Sequence, residues 1–234
     1  MIDFHSHILP GLDDGSRDVQ ESLAMLEQMA AQGVDTVCAT PHYYGEEGSA
    51  QSFLIRRADA WARLRPEAEA RFPQMRILLG AELCYFPGIS HIEGLNSLRL
   101  EGSRILLLEM PQRSWTGSIW KELEYMAAGR SRILIAHVER CLPYQAKDAQ
   151  EHLRALGIMQ QTNAEALISL RTRRKTLKAL ETGQIGFIGS DAHNLSSRRP
   201  NLDRAAEILR KRLGTNFLNE IEENGRFFLE EERA

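Results

Sequence analysis

The chain has 234 residues, 43% of them hydrophobic and 26% charged, with a formal net charge of −3. These proportions suit one globular domain, or at most two, with enough apolar material for a core. They exclude the strong positive field of a nucleic-acid binder, and no run approaches the roughly 18–20 apolar residues that span a bilayer.

Seven short apolar runs alternate with amphipathic stretches along the chain. The first run is Ile2–His5. A helix is expected over Gln20–Gln32, where Leu23, Leu26, Met29 and Ala30 fall on one face and Gly33 provides a stop. A second run, Val34–Thr40, is followed by a helix over about Ser52–Arg71, and a third run is Arg76–Glu82. Ile105–Glu109 precedes a helix over Ser118–Ala128, and Ile133–His137 precedes one over Ala146–Leu156. Ile158–Asn163 leads to a helix at Thr172–Thr182, and Ile185–Asp191 leads to one at Leu202–Leu213, entered after Pro200. Continuous Ile, Leu and Val runs of this length read as parallel strands buried on both faces. Alternation of strand and helix predicts a parallel sheet. Seven repeats, with no GxGxxG or GxxxxGK[ST] segment, point to a distorted TIM-like (β/α)7 barrel over an open doubly wound sheet. No linker interrupts the pattern, so residues 1–234 read as a single domain. The run Arg171–Lys175 is the one local concentration of basic charge and reads as a solvated helix face.

In such a barrel, chemistry sits where the strands end. The runs end in or just beyond His5-Ser6-His7, His42, Glu82, Glu109, His137, Asn163 and Asp191-Ala192-His193. Five of the seven histidines occupy these positions, whereas His91 and His152 lie away from any strand end and read as surface residues. One such residue means little, since buried polar groups are commonly just hydrogen-bonded. Several imidazoles and carboxylates converging on one barrel mouth repel or stay unpaired unless cations lie between them. The donors are nitrogen and oxygen only, which favours Mn²⁺, Fe or Zn²⁺ over a thiolate zinc centre. A set of this size needs two or three ions, with Glu82 suited to bridging.

The three cysteines, Cys38, Cys84 and Cys141, form neither a disulfide framework nor a CxxC site. Residues Met1–His5 carry no secretory signal, so a reducing, cytoplasmic compartment is expected. No arginine stands six residues after any of the three cysteines, where Tyr44, Ser90 and Lys147 lie, so none has an arginine at the spacing used by one class of thiolate nucleophile.

The segments Met1-Ile2-Asp3-Phe4-His5-Ser6-His7-Ile8, Asp13-Asp14-Gly15-Ser16, Thr40-Pro41-His42, Gly80-Ala81-Glu82, Leu108-Glu109, Ala136-His137-Val138-Glu139-Arg140, Gln161-Thr162-Asn163-Ala164 and Ser190-Asp191-Ala192-His193-Asn194 occur in order. In them the chain resembles the PHP (polymerase and histidinol phosphatase) superfamily. Within it, the likeness is to bacterial manganese-dependent tyrosine-protein phosphatases of capsule and exopolysaccharide systems. Glu223-Asn224-Gly225-Arg226 resembles that family's closing helix, with Gly225 where a proline is usual.

The resemblance implies a first metal on His5, His7, Glu82 and Asp191, a second on Glu82, Glu109 and His137, and a third completed by Asp14, His42 and His193. It also implies that Arg140 and Arg198 contact the phosphate, and that water activated at the cations attacks phosphorus. The implied substrate is a phosphotyrosyl protein, with a membrane-associated bacterial tyrosine kinase as partner. Tyr44 or Trp115, on strand-end loops, could stack on a phosphotyrosine ring, or simply pack within its own loop. Alternatives left open are a small-molecule phosphatase acting on histidinol phosphate, an amidohydrolase-type enzyme, and a non-catalytic PHP binding module.

Overall fold

The structure is a computed structural model and describes residues 1–230. In chain order the elements are β1 (Ile2–Ser6), α1 (Val19–Ala31), β2 (Thr36–Ala39), β3 (His42–Tyr43), α2 (Ala50–Arg71), β4 (Arg76–Leu79), β5 (Glu82–Cys84), β6 (Ile105–Glu109) and α3 (Gly117–Ala127). They continue with β7 (Arg132–Ile135), α4 (Ala149–Ala155), β8 (Met159–Asn163), α5 (Ala164–Ile168), α6 (Arg173–Glu181), β9 (Phe187–Gly189), α7 (Leu202–Leu213) and α8 (Thr215–Glu230). Local signals set several boundaries. Asp18 caps α1 by accepting from Glu21 N, and Gly33 follows that helix at φ +82°, a conformation glycine adopts without penalty.

All strand pairs are parallel, in the orders β1-β2-β4 and β3-β5-β6-β7-β8-β9. The second run forms β2 alone, with the short β3 just beyond it, and the third divides into β4 and the start of β5, because the ladder breaks at Thr40-Pro41 and Gly80-Ala81. Pro41 has no N–H to donate. The pairing is carried across the breaks by Gly80 N to Ala39 O at 2.9 Å and Glu82 N to Pro41 O at 3.0 Å. Counted as passes, β2 with β3 and β4 with β5 give the seven-stranded, curled parallel sheet that the alternation predicts. Its two ends meet where Asp191 N donates to His5 O and His7 N donates to Ala192 O, both at 2.8 Å.

One apolar layer lies between strands and helices, with Leu23, Leu26 and Met29 of α1 and Leu106 and Leu108 of β6 among its members. A second, smaller cluster takes the alternate strand positions, Ile2, Phe4, Ile105, Leu107, Leu134 and Phe187, together with Leu229 of α8. These residues come from the starts and middles of the strands. The last helix therefore closes the barrel at the end opposite the strand C-termini. Gly225 permits this approach, since a Cβ there would lie 2.8 Å from the Phe4 ring.

Between Asp3 and Ser6 the β1–β2 register slips, three steps of β1 lying against two of β2. Strict alternation after Phe4 would turn His5 out of the interior. The bulge removes that alternation and re-aims the strand end.

Candidate metal centre

The nine strand-end and loop residues singled out by the sequence meet at one mouth of the barrel. His5, His7, Glu82 and Asp191 present donor atoms within 4.8 Å of one another, and all four are buried. Two further groups satisfy the same limit: His42, Glu82 and Glu109, and His7, Asp14, His42 and His193. His137 lies beside them, its Nε2 2.8 Å from Glu82 Oε1 and 3.6 Å from Glu109 Oε1. Glu82 is central. Its Oε2 lies 3.0 Å from His5 Nε2, 3.2 Å from His7 Nε2 and 3.1 Å from His42 Nδ1. Asp14 stands at the solvent edge, with 63% of its side chain exposed and Oδ1 3.3 Å from His193 Nε2.

Both arginines converge on Asp191. Arg140 Nη2 lies 2.6 Å from Oδ2 and Arg198 Nη2 lies 2.8 Å from Oδ1. Asn163 Nδ2 donates to Oδ2 of the same carboxylate at 2.8 Å. Asp191 sits at φ +54° and His137 at φ +28°, a region L-residues rarely adopt, and the backbone is held there at the two strand ends that bear the site.

Supporting residues outside the strand-end pattern hold the cluster. Asp13 Oδ2 accepts from His7 Nδ1 at 2.7 Å and from His42 N at 2.9 Å. Gly15 N donates to Asp13 Oδ1, and a Cβ at Gly15 would fall 2.3 Å from His7 O, so only glycine lets this loop pass. Gln161 Oε1 accepts from His137 N at 2.7 Å and faces His5 Nδ1 at 3.4 Å. Asp3, wholly buried, takes Ser190 N, Ser190 Oγ and His5 N, tying β1 to the end of β9. Asp3, Asp13, Gly15, Gln161 and Ser190 all stand in the segments that carry the family resemblance, but no spacing or run end gave them these roles.

The electrostatics divide the imidazoles. Burial disfavours charge on Glu82, but the neighbouring His5 and the hydrogen bond from His137 to Oε1 hold its carboxyl well below the usual range. Asp191 is likewise low, the cost of burial being outweighed by His5, Arg140 and His7. Burial works against the His7 cation, yet Asp13 and Glu82 raise it to about 10. Burial and the neighbouring His7 push His193 down to about 4, and burial also lowers His42. His42 and His193 are thus held neutral with lone pairs free. His42 Nδ1, His193 Nε2 and Glu82 Oε2 are buried and make no hydrogen bond within the protein. Orphaned acceptors converging on one space are costly unless a cation takes them, so the donor set fits a multinuclear metal site.

The cysteines offer no rival nucleophile. Burial pushes the Cys38 thiol up. Burial with Glu109 and Glu82 takes Cys84 to about 11, and burial with Glu139 takes Cys141 to about 12. Of the two loop aromatics, Trp115 is buried, donates Nε1–H to Pro111 O at 3.1 Å and packs against Trp120, so it belongs to its own loop. Tyr44 is half-buried and stacks on His42 with ring centroids 5.1 Å apart. His91 and His152 are exposed, away from the cluster.

A curled parallel barrel with this cluster at its strand ends defines a TIM-like metal-hydrolase architecture. A family model described as "Capsular polysaccharide synthesis, CpsB/CapC" matches residues 1–229, and the chain belongs to that family. The tyrosine-protein phosphatase CpsB of Streptococcus agalactiae is 27% identical over 94% of this chain and 94% of its own length. The tyrosine-protein phosphatase YwqE of Bacillus subtilis is 26% identical over 98% of this chain and 91% of its own. Among solved structures, one described as the metal-dependent tyrosine phosphatases YwqE from Bacillus subtilis and CpsB from Streptococcus pneumoniae superposes with a TM-score of 0.85. It is 24% identical, covering 98% of this chain and 94% of the other, and shows the shared fold.

Proposed function

We propose that this chain is a metal-dependent phosphomonoesterase that hydrolyses phosphotyrosine on protein substrates, within a single catalytic domain over residues 1–234, of which 231–234 lie outside the described residues. The observation that carries the proposal is the set of three overlapping donor groups with three orphaned buried acceptors. It is supported by membership of a family whose curated relatives are named tyrosine-protein phosphatases.

In this reading His5, His7, Glu82 and Asp191 hold one cation, Glu82, Glu109 and His137 a second, and Asp14, His42 and His193 a third. Mn²⁺ is the ion assigned, with Fe or Zn²⁺ compatible with the same nitrogen and oxygen donors. When bound, the cations bring the pKa of a coordinated water towards neutrality and offset phosphate charge. Arg140 and Arg198, their side chains each 36% exposed at the mouth, bind the equatorial phosphate oxygens, to which a planar guanidinium is matched. Asn163 and the two arginines fix Asp191 while they do so. The tyrosine leaving group has a pKa of about 10, so protonating it is undemanding and no general acid is required. Tyr44, at the rim over His42, is placed to meet the substrate ring.

The partner proposed is a bacterial tyrosine kinase of capsule or exopolysaccharide synthesis, acting in the cytoplasm. Among the described residues no helix is long and apolar enough to cross a membrane. The test compares turnover of a phosphotyrosyl peptide with that of histidinol phosphate on metal-loaded protein. Preference for the peptide, abolished by a chelator, is expected; preference for histidinol phosphate overturns the substrate assignment.

A further inference from the structure

The basic run at Arg171–Lys175 has no part in the chemistry above, and its placement gives it another. α5 leaves the C-terminal end of β8, and α6 runs back towards the start of β9. The α5–α6 corner therefore lies on the strand-end face of the barrel, the face of the metal centre. Over Arg171–Lys178 there are five cations and no acid, in a chain of net charge −3. Arg173 is engaged inward, donating to Leu167 O and Ile168 O. Arg171, Arg174, Lys175 and Lys178 are exposed.

Three exposed helix cations elsewhere pair with an acid one turn away, Arg65–Glu69, Arg71–Glu67 and Lys211–Glu207. Among the described residues no such pair forms on α6. Leu170, at the same corner, is 82% exposed. Beside it a cavity of 280 Å³, walled by Val138, Leu142, Pro143 and Ile185, with Glu139 also in its lining, is edged by Lys175 and Lys178. The wall Val138–Pro143 is the segment that carries Arg140.

We propose that this corner is a docking surface for the substrate polypeptide. It binds an acidic segment flanking the phosphotyrosine, with carboxylates on Arg171, Arg174, Lys175 and Lys178 and an apolar side chain in the cavity. The assignment rests on the phosphotyrosyl-protein reading of the site. Phosphotyrosine itself brings roughly −1.5 to −2 charge, so a substrate with acidic flanks complements the corner over its length. An anionic membrane would also meet these cations, but a bilayer on this face would cover the mouth that a protein substrate must enter.

The experiment uses the full, manganese-loaded chain and a variant carrying R171Q, R174Q, K175Q and K178Q. Turnover is measured on a phosphotyrosyl peptide with Asp and Glu flanks, on its Asn and Gln counterpart, and on para-nitrophenyl phosphate. The KM for the acidic peptide is expected to rise about tenfold, four exposed charge pairs each contributing modestly. Its kcat, and both constants for the other two substrates, should hold, which also shows the variant folded. An unchanged KM for the acidic peptide overturns the docking surface, as does an equal change on all three substrates. So does cosedimentation of the wild type with phosphatidylserine vesicles that the four substitutions abolish while the peptide KM stays put. Wild-type protein that hydrolyses para-nitrophenyl phosphate but neither peptide overturns the activity reading, and docking with it.

Discussion

Asp13 engages three groups at once, and its effect on His7 is chemical as well as structural. By accepting from Nδ1–H it orients the His7 ring so that Nε2 faces Glu82 and His5, where a cation would take the place of the Nε2 proton. Asp13→Ala should therefore weaken manganese binding by about 10–100-fold, as loss of a carboxylate behind a metal-facing histidine does. Calorimetric titration of the apoprotein measures this, and unchanged affinity would show the contact to be incidental. Replacing Cys38, Cys84 and Cys141 together by serine should leave most phosphotyrosyl-peptide turnover intact, because burial keeps all three as thiols near neutral pH. A variant that folds but is inactive would revive a thiol mechanism. His5, His42, Glu82, Glu109, His137 and Asp191 were legible in the sequence because each ends, or just follows, an apolar run. Asp3, Asp13 and Gln161 were not. They act on backbone N–H groups and on the far nitrogens of imidazoles, and no spacing rule encodes such contacts.

At the scale of elements, two glycines govern approach distances. Gly15→Ala places a methyl against His7 O and must displace the loop carrying Asp13 and Asp14. Loss of metal affinity with little change in melting temperature is expected, since Asp13, Asp14 and Gly15 belong to neither apolar core, the loop being anchored there by Ile8 and Leu9; a fall in both together would make it a folding defect. Leu229, buried beneath the barrel, tests the role of α8. Leu229→Ala should cost about 2–5 kcal/mol, the range for emptying a buried leucine site. Scanning calorimetry reads this as a drop of roughly 2–4 °C per kcal/mol for a chain of this size. A shift below one degree would mean that α8 only lies against the barrel. The seven strand passes were readable from apolar runs. The breaks at Thr40-Pro41 and Gly80-Ala81 were not, because they depend on which neighbour each half of a strand bonds. The five-residue α5 was invisible to periodicity, and the α8 plug was passed over although Leu218, Ile221, Gly225 and Leu229 recur at helical spacing. One is too short to show a face, and the other includes Gly225, which reads as a helix breaker until Phe4 and Ile2 are seen packed against it.

For the whole molecule, the sheet serves to bring distant donors together. His5 and Asp191 are 186 positions apart in sequence, yet the bond from Asp191 N to His5 O closes the barrel and sets their side chains 3.6 Å apart. Cation binding at this seam links the first strand to the last, so metal should stabilise the fold as well as enable turnover, in proportion to its concentration over its dissociation constant. Melting temperature should rise with added Mn²⁺ and fall after chelation; an unchanged melt would mean that the ions bind elsewhere or not at all. The most direct measurement is phosphotyrosyl-peptide turnover followed while chelator-stripped protein is titrated with Mn²⁺ and its metal content assayed. Turnover should be absent at the start and reach its plateau at two or three ions per chain. Full turnover in stripped protein holding only traces of metal would contradict the account.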